Sequence, residues 1–267
     1  MTQTLYFIIG HPIGQARSPE VFNARFVAAG LDAVMVPIEV APADVEAVLA
    51  SLWAIKNCAG GVVTIPHKIA AASLATAKSE RVKITGAANV LRKSSSGWDA
   101  ELCDGEGFVA ALRKNGHDPA GLRAAVVGAG GAGLAIAAAL LDHNAREVRL
   151  HDINGVQADS AVTRLKAHYG ERVRRGQPDD KTDLAINATP VGMAAADPLP
   201  IDLAQLSANA LVADIIMKPP VTHLLLEAKR RGHRIQHGHD MLDSQVDLIW
   251  RFLDMSASLS PKLGRSK

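Results

Sequence analysis

The chain is poor in the residues that staple or metallate small folds. Only two cysteines occur, Cys58 and Cys103, too few for a disulfide framework and without metal-ligand spacing. The ten histidines form no H-x-x-E-H or similar cluster, so no metal centre is expected. Aromatic residues make up 4% of the chain, and no apolar run reaches the roughly 18 residues that cross a bilayer, which excludes a spanning helix. Charge of one sign is also missing. Lys and Arg number 29 against 27 Asp and Glu, with no basic block, so neither nucleic acid nor an anionic membrane is expected as partner. The opening "MTQTLYFIIGHPIG" lacks a basic region ahead of a long apolar core; it reads as a strand rather than a signal peptide, and the expected location is cytoplasmic. No internal repeat or low-complexity segment is visible, and the tail "SPKLGRSK" is expected to be loose.

What is present is a folded composition, 48% hydrophobic and 21% charged, over a length that suits two domains. Apolar runs at 5–9, 33–40 and 61–65 read as strands. Helical spacing fills the intervals after Ser18-Pro19, through Val45, Val48, Leu49 and Leu52, and over 67–78. A hairpin is expected over 88–102, turning at Ser96-Gly97. A second α/β unit follows, with strands ending near Val127 and Asp152 and at 183–190 and 210–216. Its helices lie after the glycine run and over 221–232, and a closing helix covers about 240–257. Strands alternating with helices imply an open, largely parallel sheet covered by helices. The fold class is therefore α/β.

Two local features carry chemistry. Gly128-Ala129-Gly130-Gly131-Ala132-Gly133 is a G-x-G-x-x-G run between an apolar strand and an alanine-rich helix. In that setting the first glycine makes the turn, the second admits a pyrophosphate, and the third lets helix and strand pack, with the helix N-terminus facing the anion. Asp152 ends the next strand, at about the spacing where a carboxylate binds ribose hydroxyls. It repels a 2′-phosphate, and Ile153-Asn154-Gly155 supply no cation, so NAD is expected as cofactor, with NADP the alternative. Asp152 acting only as cap of the following helix is the plainer reading. The other feature is Lys68, in "VVTIPHK", where a strand end turns into a helix. It reads either as a solvated first-turn lysine or as a proton handler.

The chain resembles the shikimate dehydrogenases and their quinate-dehydrogenase relatives. "GHPIGQARSPEVFNARF", "VVTIPHK", "GAANVL", "CDGEGF", "GAGGAG", "NATPVGM", "DIIMKPPVT" and "GHDMLDSQ" occur in the family's order and spacing. The resemblance implies that Lys68 and Asp104 form the catalytic pair, and that Ser18, Thr64, Asn89 and Gln245 face the substrate. Asn187, Thr189, Met193 and Gly238 then join the glycine run and Asp152 at the cofactor. It implies a substrate domain over 1–104, completed by the helix and tail of 238–267. A Rossmann-type NAD(P) domain covers 105–237, with a cleft between the two domains. The expected reaction is reversible hydride transfer between nicotinamide and a ring hydroxyl of shikimate, quinate or a similar small-molecule acid, by a monomer or homodimer. Departures fall on the substrate side: Ala16 replaces the first serine of the family's Ser-x-Ser-Pro, Val62 an asparagine, Leu102-Cys103 an Asn-Thr pair and Met217 a tyrosine. Arg17 offers a cation for a carboxylate, though a surface role is the simpler one. Two further readings stay open, a dinucleotide-binding regulator without turnover and a methylenetetrahydrofolate-dehydrogenase-like enzyme.

Overall fold

The computed structural model describes residues 2–14 and 16–255. The tail expected to be loose lies outside them, as do residues 256–257 of the expected closing helix. By their contacts the residues form two units: Met1–Lys78 with Ala88–Glu101 and Val246 onward, and Ser79–Ala87 with Leu102–Gln245. The sequence drew its junctions at 104 and 238. Residues 79–87 instead join the second unit, and the closing helix is divided between the two.

The first unit holds β1 (Thr4–Gly10), α1 (Ser18–Ala28), β2 (Ala33–Glu39), α2 (Val45–Ala54), β3 (Cys58–Val63), α3 (Lys68–Leu74), β4 (Ala77–Lys78), β5 (Val90–Ser94) and β6 (Gly97–Glu101). Its sheet runs β2-β1-β3-β5-β6-β4. β1 is parallel to β2 and β3, whereas the β5–β6 hairpin enters antiparallel to β3. Few as the aromatics are, they concentrate here. Phe26 lies 5.4 Å from Tyr6 and 5.5 Å from Trp250, and Phe22 stacks on Trp250 at 6.5 Å. These ring contacts, with Arg25 over the Trp250 ring at 4.5 Å, fasten the last turns of the closing helix to the unit.

The second unit holds α4 (Glu80–Thr85), α5 (Asp104–Lys114), β7 (Arg123–Val127), α6 (Gly131–Asp142), β8 (Glu147–His151), α7 (Gly155–Tyr169), β9 (Val173–Arg175), β10 (Leu184–Asn187), β11 (Leu211–Asp214), α8 (His223–Arg230) and β12 (Arg234–Gln236). α9 (Gly238–Phe252) is shared, the division between the units falling at Val246. Every strand pair is parallel, in the order β12-β11-β10-β7-β8-β9. That is the doubly wound dinucleotide order, with its switch point between β7 and β10.

Several local expectations shift. The helix foreseen over 67–78 stops at Leu74, because Ala75 turns extended and Ala77–Lys78 pair with β6. α4 then begins with Ser79 as its cap and ends on Gly86 at φ +66°, a left-handed position that glycine takes without strain. α1, expected after Ser18-Pro19, already begins at Ser18, with Arg17 at its N-cap. β3 ends at Val63, two residues early, though the Thr64 amide still donates to the Ile9 carbonyl.

Candidate functional site

In the first unit, backbone bonding gathers three of the predicted residues at the carboxyl end of β3. The Val63 amide donates to the Asn89 carbonyl at 2.8 Å, and the Ala88 amide to the Lys68 carbonyl at 2.9 Å. Thr64 accepts from the His67 amide, and its methyl lies 2.4 Å from where a Cβ on Gly10 would stand, so only glycine lets β1 end there. Lys68 opens α3 and is 8% exposed, not the solvated first-turn lysine of the plainer reading. His67 is buried too, its Nε2 2.8 Å from the Val40 carbonyl, which fixes the turn. Ser18 is buried at the start of α1. Arg17 lies 3.8 Å from Glu20, the surface role.

In the second unit the three glycines of the G-x-G-x-x-G pattern have different reasons to be glycine. Gly128 has φ +108°, and a Cβ there would sit 2.7 Å from the Ala188 carbonyl. A Cβ on Gly133 would stand 1.9 Å from the Gly128 carbonyl oxygen. The fold demands both. Gly130 has an unremarkable φ of −76°, and its Cβ would meet only Gln157 Nε2, at 3.9 Å. Neither packing nor backbone conformation requires glycine at that N-cap. Glycine is a common N-cap, and here it leaves the space before the helix open; the amides opening α6 at Gly131 and Ala132 suit an anion. Ala129, buried between them, donates its amide to Asp152 Oδ2 at 2.8 Å.

Asp152 is thus tied to the glycine turn. Its Oδ1 accepts from the Asn154 amide at 2.9 Å, and Asn154, not Asp152, caps α7 through the Gln157 amide. The capping role for Asp152 is therefore set aside. Ile153 beside it is 100% exposed, an apolar side chain offered to solvent next to an acid. No adjacent residue is cationic, but β9 brings one: Arg175 Nη1 reaches the Gly155 carbonyl at 3.3 Å and Asp159 at 2.5 Å.

The loops after β10, β11 and β12 collect at the same carboxyl edge of the sheet. Asn187 is fully buried and its side chain is spent internally. It donates to the Val191 carbonyl and to Asp214 Oδ1, and accepts from the Thr189 amide and hydroxyl. Thr189 in turn accepts from the Val191 amide. Asn187 therefore shapes the loop that carries Thr189 and Met193. Asp197 closes that loop by accepting from the Gly192 and Ala194 amides, which hold its carboxyl below the usual range. Gly238 packs against the chain after β11, its Cβ site 2.4 Å from the Ile216 carbonyl oxygen.

Asp214, not singled out from sequence, is the hub. Its carboxylate accepts from the Ile216 amide (3.0 Å), Asn187 Nδ2 (3.2 Å) and the Thr222 hydroxyl (2.7 Å). An acid ending an apolar strand, with a helix-capping threonine eight residues on, was the available signal. Burial, outweighing those hydrogen bonds, pushes its carboxyl up from the ordinary value. The folded state thus holds the proton to higher pH than the unfolded chain. Its contribution to stability is full below the usual carboxylate range and is lost as pH rises through that range to the raised value. Asp214→Asn should remove this dependence. The excess in melting temperature of the parent over Asp214→Asn is expected to shrink as pH rises above the ordinary carboxylate value of about 4; an excess that stays level across thermal melts contradicts the assignment.

Asp104 opens α5 and is 3% exposed, at a helix end that favours a carboxylate. The glycines after it are packing devices. A Cβ on Gly105 would stand 2.1 Å from the Ala135 carbonyl oxygen of α6, and one on Gly107 2.6 Å from Gln245 Cβ on α9. Gln245 thus sits at a tight crossing of α9 with α5, about one turn along α5 from Asp104. Of the departures from the family pattern, Val62, Leu102 and Cys103 are buried and Met217 is partly exposed. A cavity of about 550 Å³ lies beside β7 and β8, lined among others by Val127, His151, Gln177, Pro178 and Asp202; none of the predicted site residues lines it. Among the described residues no cluster could hold a metal ion, and no helix is long and apolar enough to cross a membrane.

Residues 8–91 match the family model described as the shikimate dehydrogenase substrate binding domain. A shikimate dehydrogenase (NADP+) of Rubrobacter xylanophilus is 36% identical over 247 residues, covering 90% of this chain and 86% of the relative. Among solved structures, quinate dehydrogenase from Corynebacterium glutamicum in complex with NAD superposes with a TM-score of 0.83 at 25% identity, covering 94% of this chain and 93% of that one. The ligand-free 5-ketofructose reductase of a Gluconobacter strain gives 0.82 at 25% identity, covering 95% and 93%.

Proposed function

The chain belongs to the shikimate dehydrogenase family, and from that premise we propose that it is an NAD-preferring oxidoreductase acting on a ring hydroxyl of shikimate, quinate or a related hydroxylated acid. The observation that carries the cofactor reading is the glycine turn itself, where Gly130 leaves the space before α6 open to a ligand although neither its φ nor a close contact demands glycine. The amides of the glycine turn would hold a pyrophosphate, Asp152 the ribose hydroxyls, and the loops bearing Thr189, Met193 and Gly238 the remaining half. Bound there, the dinucleotide supplies hydride exchange at its nicotinamide ring.

This chain's own residues then have a proton to manage. As the carbinol carbon loses hydride, its hydroxyl must lose a proton, and Lys68 is assigned to take it. In the reverse direction the Lys68 ammonium steadies the developing oxyanion and returns the proton. Asp104 is assigned to orient Lys68 and accept a hydrogen bond from a substrate hydroxyl. Ser18, Thr64, Asn89 and Gln245 are assigned to the substrate's remaining polar groups. Val62 and Leu102, buried and apolar, remove partners worth about 0.5–1.5 kcal/mol each, so the favoured ring acid is one that does not need them.

A matrix of NAD and NADP against shikimate, quinate and an aminoshikimate, followed by reduced-nicotinamide absorbance, tests the reading. NAD-linked turnover of at least one ring acid is expected; silence in every cell rejects it. Asp152→Ala is expected to raise the NADP-to-NAD ratio of kcat/KM about tenfold, some 1.4 kcal/mol, by removing a carboxylate that repels the 2′-phosphate. An unchanged ratio would leave the preference without its cause.

A further inference from the structure

Asp152 is not the only charge at the ribose end of this site. Arg175, on the edge strand β9, sends its guanidinium over the first turn of α7. Nη1 donates to the Gly155 carbonyl at 3.3 Å, and Nη2 stands 3.0 Å from where a Cβ on Gly155 would be. Gly155 is three residues past Asp152, whose Oδ1 already binds the Asn154 amide of the same turn. A guanidinium so placed suits a 2′-phosphate. Here, however, it is held by Asp159, one helical turn further along α7, at 2.5 Å. Arg175 and Asp159 are 45% and 64% exposed at their side chains, so the pair is set by mutual attraction rather than by burial.

We propose that the Arg175–Asp159 pair is a second determinant of cofactor choice, a phosphate-binding cation on β9 silenced by an acid of α7. This rests on the reading that the nucleotide's ribose lies at Asp152. On that footing the chain discriminates twice. Asp152 repels the 2′-phosphate, and Asp159 neutralises the one cation the neighbouring strand supplies to the turn. Gly155 contributes by leaving the guanidinium room to lie flat against the backbone.

The test uses binding of two fragments, so it does not depend on turnover. 2′,5′-ADP and 5′-ADP are titrated by calorimetry into the full chain and into Asp159→Asn, Arg175→Ala, the double variant and Asp152→Ala. Asp159→Asn is expected to raise the affinity ratio of 2′,5′-ADP over 5′-ADP about two- to fivefold, the range of an exposed ion pair. The gain should shrink at high salt and vanish in the double variant. A ratio unmoved by Asp159→Asn, or a gain that survives loss of Arg175, overturns the proposal. The 5′-ADP titration reports in each variant that the site is formed. If Asp152→Ala shifts the ratio while Asp159→Asn does not, the proposal fails and the ribose reading stands. If Asp152→Ala moves neither ligand, the ribose reading fails and takes the proposal with it.

Discussion

Lys68→Ala is expected to cut kcat/KM for the ring acid by about a hundred- to ten-thousandfold, the range of a positioned acid–base group, while NAD affinity changes less than about twofold. The backbone gives the substitution a clean background. Lys68 is held through its carbonyl, which accepts from the Ala88 amide, and that bond survives in alanine. Alanine is also the best helix former, at a position that opens α3. A melting temperature close to the parent's, with NAD binding retained, would therefore localise the loss to chemistry. Turnover equal to the parent's removes Lys68 from the mechanism. A loss confined to KM, with kcat intact, makes it a binding residue only.

The glycine turn permits a sharper separation of fold from function. Gly133→Ala forces a methyl to within 1.9 Å of the Gly128 carbonyl oxygen, a backbone atom that cannot step aside cheaply. A loss of about 1–3 kcal/mol in stability is expected, and nucleotide binding falls with it. Gly130→Ala adds the same methyl where the nearest atom is 3.9 Å away, so stability should change by less than about 1 kcal/mol. Its NAD affinity is nonetheless expected to drop tenfold or more, about 1.4 kcal/mol, because the methyl stands where the pyrophosphate approaches. Calorimetric titration with NAD beside thermal melts distinguishes the two variants. Unimpaired NAD binding in Gly130→Ala would sink the cofactor assignment, since the added methyl stands in the path assigned to the pyrophosphate.

Readability from sequence followed the range of the interactions. β7, the glycine turn, α6 and Asp152 were legible because their determinants lie within one short stretch from Arg123 to Asp152: an apolar strand, a forced turn, a small-residue helix, a carboxylate at the next strand's end. The closing helix was legible by its stripe, and Met241, Leu242, Val246, Ile249, Trp250 and Leu253 are all buried. β4, β9 and β12 were not foreseen, because strands of two or three residues show no alternation and exist only by pairing with a neighbour.

The amino-acid order alone thus determined the α/β alternation, the glycine turn, the acid that follows the next strand and the family to which the lysine and aspartate segments belong. The tertiary structure decided that close backbone contacts demand glycine at 128 and 133 but not at 130, and that Asn187 serves its own loop. It also made Asp214 a buried hub and brought Arg175 to the turn beside Asp152. The physical reason is common to all four. Each depends on what stands within a few ångströms of a side chain across elements distant in the chain, and linear spacing carries no record of that distance.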